Sequence, residues 1–379
     1  MNNEIIYLDN CSTTKVCDEA INAINDALKN NWGNPSSLHK KGFDAQILLE
    51  NSRKTIADFI DSAPQNVYFT PGGTYSNNMA ILGIADKLKH LGNRIITTQI
   101  EHSSVLGPIE ELKKLGFEVI YLKPDNNGFI SKEQVFEAVN KDTCFISMMM
   151  INNEIGSILP VNHLKDILKS KNPNGIIHVD AIQAFGKVPI NVKKLKADLI
   201  SFSGHKIHGP KGIGALYVSQ NVKLKPIIWG GGQGNFISPG TEATPAIAGF
   251  SAAVSAIPNL LIQYENIKKL HEYATKNLTS IDGVSINSNV ESSPFILNFS
   301  AGRIKSETMI NYLSANNLFV SGGSACSKGK QSYVLKSMGL PSDRINSAIR
   351  ISFSRFTTKS QIDILTDNVR QALAKIKHF

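Results

Sequence analysis

The chain lacks the features that mark several large classes of protein. It has four cysteines in 379 residues and no Cys-x-x-Cys pair, which argues against a zinc module or a disulfide framework and fits a reducing cytoplasm. No stretch approaches the roughly twenty apolar residues of a membrane helix, so we expect no membrane contact. The first residues lack the basic and apolar regions of a secretory signal, and we therefore expect a cytoplasmic protein. We also expect no metal site.

Other classes are disfavoured as well. A hydrolase nucleophile elbow and a Walker phosphate loop are absent, and the glycine run at 230–234 precedes no helical pattern, which makes it weak evidence for a dinucleotide site. The net charge is +9, but the lysines are scattered and no basic helix with interleaved aromatic residues occurs. We therefore do not expect a nucleic-acid partner.

The chain does contain a regular alternation of short apolar runs and helical patterns between about residues 65 and 220. This alternation predicts an α/β fold with a mainly parallel sheet and helices on both faces, whose ligand binds beyond the carboxyl ends of the strands. One helix is predicted from the turn at 72–74 to Leu91, before Gly92. The runs predicted as strands are 67–70, 94–98, 118–122, 144–150, 176–180 and 198–203.

The pattern changes near residue 251, where a long helical stretch is followed by short strand-like segments and a final helix. We therefore predict a large domain over 15–250. The smaller α+β domain would be built from 1–14 and 251–379 and would carry a mobile loop around Cys326.

Ser203-Gly-His205-Lys206 closes the last of the predicted strands. A lysine held beside a hydroxyl and an imidazole can form a Schiff base with pyridoxal phosphate, while the serine and histidine donate to the cofactor phosphate. A solvated surface lysine is the alternative for Lys206 taken alone, so the interpretation depends on the other strand ends.

Those strand ends carry matching groups. Gly73 and Thr74 begin a helix whose N–H groups can bind a phosphate. A capped helix without a ligand has the same sequence pattern. His102 can stack on a pyridine ring or be a structural histidine. Asp180 can keep a pyridine nitrogen protonated, and Gln183 lies close enough in sequence to bond the phenolic oxygen. Together these residues predict one cofactor site.

The chain resembles a known family, the cysteine desulfurases of the NifS/IscS type. They belong to the class V aminotransferase-like group of fold-type I pyridoxal-phosphate enzymes, so the resemblance implies that fold, with the large domain binding the cofactor. It covers nearly the whole length. The segments that carry it are 7–14, 33–37, 69–78, 101–102, 152–156, 178–183, 201–214, 321–326 and 349–358.

The resemblance implies a role for each site residue. Lys206 would hold the cofactor covalently and shuttle protons, and His102 would stack on its ring. Asp180 would pair with the ring nitrogen and Gln183 with the phenolic oxygen. The remaining implied contacts are Gly73, Thr74, Ser203 and His205 at the phosphate, Thr241 reaching it from the partner subunit of a homodimer, and Asn153 and Arg350 at the substrate carboxylate.

Cys326 is the second catalytic candidate. It lies in a run of small residues, with Lys328 and Lys330 to favour a thiolate. In the family such a cysteine takes the sulfur of L-cysteine as a persulfide, leaves L-alanine, and passes the sulfur to an acceptor protein. The resemblance therefore implies a role in iron–sulfur cluster assembly or tRNA thiolation.

The chain also departs from the family pattern. Gly234, Ser238 and Pro239 stand where an acid, an arginine and a serine are usual, and Tyr75 replaces a common glutamate. Cys11-Ser12 replaces two alanines and can place an extra thiol near the site. Two alternatives stay open: a selenocysteine lyase or another class V enzyme with a shifted substrate, and a catalytically impaired binding or regulatory homologue.

Overall fold

A computed structural model describes residues 5–232, 237–323 and 331–376. Its strands are β1 Ile6–Tyr7, β2 Val67–Thr70, β3 Arg94–Thr98, β4 Glu118–Leu122, β5 Thr143–Met149, β6 Ile176–Asp180, β7 Leu199–Ser203, β8 Gly214–Val218, β9 Val284–Ile286, β10 Ile296–Ala301, β11 Leu318–Phe319 and β12 Ala348–Ser352. Its helices are α1 Asp18–Asn30, α2 Lys40–Phe59, α3 Gly73–Leu82, α4 Ala85–Leu88, α5 Ser103–Lys114, α6 Lys132–Ala138, α7 Leu164–Lys169, α8 Val192–Leu195, α9 Thr244–Ser255, α10 Leu260–Thr279, α11 Ser306–Ala315, α12 Tyr333–Ser337, α13 Ser342–Asn346 and α14 Lys359–Lys375.

The central sheet has seven strands in the order β2-β8-β7-β6-β5-β3-β4. Six of them share one direction and only β8 runs against its neighbours. Strands β5, β6, β7 and β8 are buried at every position, because helices cover both faces of the sheet. The predicted α/β fold with a mainly parallel sheet is confirmed.

The helix predicted from residue 73 to Leu91 is wrong in its second half. Helix α3 ends at Leu82, and a separate turn, α4, follows. Gly83 accepts a hydrogen bond from Lys225 N–H at 2.8 Å, so its carbonyl bonds a neighbouring loop instead of the next helical turn. The apolar spacing continues through the break because Ile84 and Leu88 remain buried.

The chain ends form the second part of the molecule. Strands β12, β10 and β9 make an antiparallel sheet, and β1 pairs in parallel with β11. An isolated bridge joins Asp9 to Ser352 and ties the N-terminal segment to β12. The division predicted between residues 250 and 251 falls inside α9, a helix that packs against α1 and α2.

Among the described residues, no single helix is long and apolar enough to cross a bilayer. Helices α9 and α10 reach that length and hydropathy only as a pair, and they meet at an angle of 77°.

Candidate active site

A cleft of about 830 Å³ opens at the edge of the sheet where the parallel strands end. Ten of the twelve predicted site residues line it. Thr241 is exposed and lies outside its wall, and Cys326 lies outside the described residues. The ten are Gly73, Thr74, His102, Asn153, Asp180, Gln183, Ser203, His205, Lys206 and Arg350.

Lys206 lies in the short connection between the antiparallel strands β7 and β8. The N-terminal segment covers this connection, because Thr14 N–H donates to the His205 carbonyl at 3.0 Å. The Lys206 ammonium donates to the carbonyls of Cys11 and Ser12 at 2.5 and 2.8 Å. Burial lowers the pKa of Lys206 to about 8, which brings the neutral, nucleophilic amine within reach near neutral pH.

Asp180 ends β6 with its carboxylate buried in the cleft. Asn77 donates to Oδ2 at 2.8 Å, and the backbone N–H of Ile182 donates to Oδ1 at 3.0 Å. Burial raises the pKa of Asp180, and these two hydrogen bonds act against that rise. A carboxylate placed in this way is suited to a cationic ring nitrogen.

His102 is the N-cap of α5. Its Nδ1 accepts a hydrogen bond from Ser104 N–H at 3.2 Å and lies 2.8 Å from the Ser104 hydroxyl. Burial lowers the pKa of His102, which favours the neutral ring. Because Nδ1 is the acceptor, Nε2 carries the proton, and the uncharged ring lines the cleft.

The start of α3 forms one wall of the cleft. The first N–H groups of any helix lack partners within it, and here they belong to Gly73 and Thr74. A Cβ on Gly73 would lie 2.3 Å from Ile182 Cδ1, so any larger residue requires the Ile182 side chain to move. The Ser203 hydroxyl is buried without a protein partner. His205 stays neutral because burial lowers its pKa to about 4.

Arg350 reaches the cleft from β12 with 1% of its surface exposed. Its Nη1 donates to the Asn153 carbonyl at 2.8 Å, and its Nη2 donates to Asp9 Oδ1 at 2.9 Å and to Ser12 Oγ at 2.8 Å. Arg350 Nε and Asn153 Oδ1 are buried with no protein partner. A buried cation with an unused donor suits an anionic ligand.

Three residues of the site were missed by sequence reasoning. Asn77 lies one helical turn beyond Thr74 on the buried face of α3, a spacing that points to the cleft. Lys187 follows Gln183 by four residues and donates to its Oε1 at 2.8 Å. Asp9 lies 341 residues from Arg350 in the chain, so no local pattern indicates their contact.

The residues present fit pyridoxal phosphate. The cleft offers a lysine with a lowered pKa, a carboxylate for a ring nitrogen, and a neutral imidazole on the wall. The orphaned Ser203 hydroxyl and the start of α3 supply donors for a phosphate. Among the described residues, no group of three histidine, cysteine, aspartate or glutamate side chains is arranged to hold a metal.

Fold and cleft together define a pyridoxal-phosphate enzyme of fold type I. The aminotransferase class-V family model matches residues 6–365. The cysteine desulfurase IscS of Dictyoglomus turgidum is 37% identical over 377 residues, covering 98% of this chain and 95% of that protein. The chain therefore belongs to the aminotransferase class-V family and, within it, to the cysteine desulfurases of the NifS/IscS type.

Solved structures agree with this assignment. A NifS-like protein superposes with a TM-score of 0.93 at 33% identity, covering 98% of this chain and all of the other. SspA in complex with cysteine superposes with a TM-score of 0.82 at 32% identity, covering 93% of this chain and 100% of that one.

Proposed function

We propose that this enzyme converts L-cysteine to L-alanine by moving the substrate sulfur onto the thiol of Cys326, and then passes that sulfur to an acceptor protein. The transfer balances, because the protein thiol becomes a persulfide and the thiol group of the substrate is replaced by hydrogen. Iron–sulfur cluster assembly and tRNA thiolation are the two processes we propose for the acceptor.

Each predicted site residue that lines the cleft has a proposed task. Lys206 holds pyridoxal phosphate and moves protons at its Nζ. Asp180 pairs with the ring nitrogen, His102 stacks on the ring, and Gln183 donates to the phenolic oxygen. The cofactor supplies a sink for the electron pair released at the substrate carbon. The proposed phosphate contacts are Gly73, Thr74, Ser203 and His205.

Substrate recognition is assigned to Arg350 and Asn153. Arg350 binds the α-carboxylate by a charge-assisted hydrogen bond. Asn153, whose backbone carbonyl accepts from Arg350 Nη1, donates to the same carboxylate through its side-chain Nδ2. Burial of the guanidinium strengthens that attraction, because little water competes for the charge.

The assembly is also part of the proposal. Thr241 is exposed and away from the cleft of its own chain, which supports a homodimer in which it reaches the phosphate of the partner subunit. We further propose a cytoplasmic enzyme with a cofactor-binding domain over 15–250. The segments 1–14 and 251–379 would form a smaller domain that carries the Cys326 loop.

The convergence of Lys206, Asp180, His102 and Arg350 on one cleft carries this proposal. The test supplies L-cysteine and a thiol reductant to the purified, cofactor-loaded protein. We expect equal amounts of L-alanine and sulfide from the wild type and neither from Cys326→Ala, whose visible cofactor absorption is retained. Sustained turnover of L-cysteine by Cys326→Ala would contradict the persulfide route.

A further inference from the structure

Ser12 lies against the guanidinium of Arg350. Its hydroxyl oxygen accepts from Arg350 Nη2 at 2.8 Å, and its hydroxyl hydrogen is directed to Asp9 Oδ1 at 2.9 Å. Asp9 Oδ1 also accepts from the same Nη2 at 2.9 Å. The three groups therefore form a closed triangle on one side of the guanidinium.

This triangle occupies the donors that a carboxylate needs. A guanidinium binds a carboxylate with two parallel bonds, either through Nε and Nη2 or through Nη1 and Nη2. Both arrangements use a hydrogen of Nη2, which already donates to Asp9 Oδ1 and Ser12 Oγ. Nη1 donates to the Asn153 carbonyl, and Nε is buried without a partner. The donors left over lie on separate edges of the group.

The two acceptors on Nη2 differ in strength. Asp9 is a carboxylate and holds the guanidinium by an ion pair, whereas the Ser12 hydroxyl is neutral. Ser12 is also a departure from the family pattern, in which alanine at this position offers no acceptor.

We propose that Ser12 is a specificity-determining residue that weakens the binding of a substrate carboxylate to Arg350. An incoming carboxylate has to compete with the Ser12 hydroxyl for Nη2 as it forms its second hydrogen bond. This inference rests on the proposed function, in which Arg350 recognises the α-carboxylate of an amino acid.

The test compares two ligands that differ only at the carboxylate. L-alanine and L-alaninamide are titrated into the cofactor-loaded protein, and binding is followed by the visible absorption of the cofactor. The ratio of their dissociation constants, L-alaninamide over L-alanine, measures what the carboxylate contributes. We expect Ser12→Ala to raise this ratio about fivefold, the net value of one hydrogen bond.

Two further variants act as controls. Ser12→Gly removes the same hydroxyl and has to give the same rise, whereas Ser12→Thr keeps the hydroxyl and has to stay near the wild-type ratio. An unchanged or lowered ratio in both Ser12→Ala and Ser12→Gly overturns the inference and leaves the proposed function intact. A wild-type protein that binds neither ligand overturns the proposed function, and the inference with it.

Discussion

The Nζ of Lys187 lies 2.8 Å from the Oε1 of Gln183, and both side chains are buried. Lys187 Nζ is the donor in this hydrogen bond, so the amide is oriented with its oxygen towards Lys187. The Gln183 Nε2 then faces the Cys11 carbonyl at 3.1 Å and the cleft. Lys187 is therefore a positioning residue. It orients Gln183 so that the N–H group of that amide faces the place where the phenolic oxygen of the cofactor is proposed to lie.

Replacing Lys187 tests this relationship. Lys187→Met leaves a buried amide oxygen without a donor and frees the amide to turn. We expect cofactor binding to weaken about fivefold and the visible absorption maximum of the bound cofactor to shift. Both are measured by titrating pyridoxal phosphate into the apoprotein.

A surface lysine provides the control. Lys193→Met removes an exposed partner of Asp61, a pair of the kind that contributes little. It should leave cofactor affinity unchanged. Wild-type affinity and absorption in Lys187→Met would show that Gln183 is oriented without Lys187.

Cofactor loading should follow the titration of Lys206. Burial lowers the pKa of its amine to about 8, so the reactive neutral form is largely populated by pH 9. The neutral fraction of an ordinary lysine would still rise several-fold between pH 9 and 10, whereas the neutral fraction of Lys206 rises by only roughly one tenth. We expect the loading rate of the apoprotein to level off above pH 9.

Stopped-flow absorbance measures this rate. The same pH series with butylamine, divided by the neutral fraction of that amine, corrects for the ionisation of the cofactor itself. A corrected rate that keeps rising several-fold from pH 9 to 10 would mean that Lys206 titrates as an exposed lysine.

Stability at acid pH should depend on His271 in α10. Burial lowers the pKa of His271 to about 4, below the roughly 6.5 of an unfolded chain. Between these values the unfolded state binds more protons, so stability is present above pH 6.5 and is lost as pH falls towards 4. For a pKa of about 4, the loss at pH 5 is about 2 kcal/mol.

Urea unfolding of the apoprotein at pH 8 and pH 5 measures this loss. His271→Leu should reduce the difference between the two pH values by about that amount, whatever its own cost at pH 8. His90→Leu, at an exposed histidine, is the matched control. An unreduced pH dependence in His271→Leu would show that His271 does not contribute to acid destabilisation.

Much of the fold could be predicted because its strands are short apolar runs between polar turns. The runs at 67–70, 94–98, 118–122 and 176–180 form strands with those bounds. The antiparallel direction of β8 could not be predicted, since an apolar run does not indicate which way its strand runs in the sheet. The break after α3 depends on a bond from Lys225, far along the chain.

The site, like the fold, could be predicted only in part. His102, Asn153, Asp180 and Lys206 follow the ends of parallel strands, and topology alone brings such positions to one edge of the sheet. Contacts between residues that are far apart in the sequence produce no local sequence pattern. Sequence spacing does not predict that the carbonyls of Cys11 and Ser12 accept hydrogen bonds from Lys206. It does not predict the ion pair between Asp9 and Arg350 either.

The most direct test of the proposed reaction is a single turnover without reductant. Cofactor-loaded protein receives one equivalent of L-cysteine, and mass spectrometry then examines the peptide that contains Cys326. We expect a gain of one sulfur atom on that peptide and one L-alanine per protomer. L-alanine formed with no sulfur on Cys326, or no L-alanine from a fully loaded enzyme, would contradict the proposed reaction.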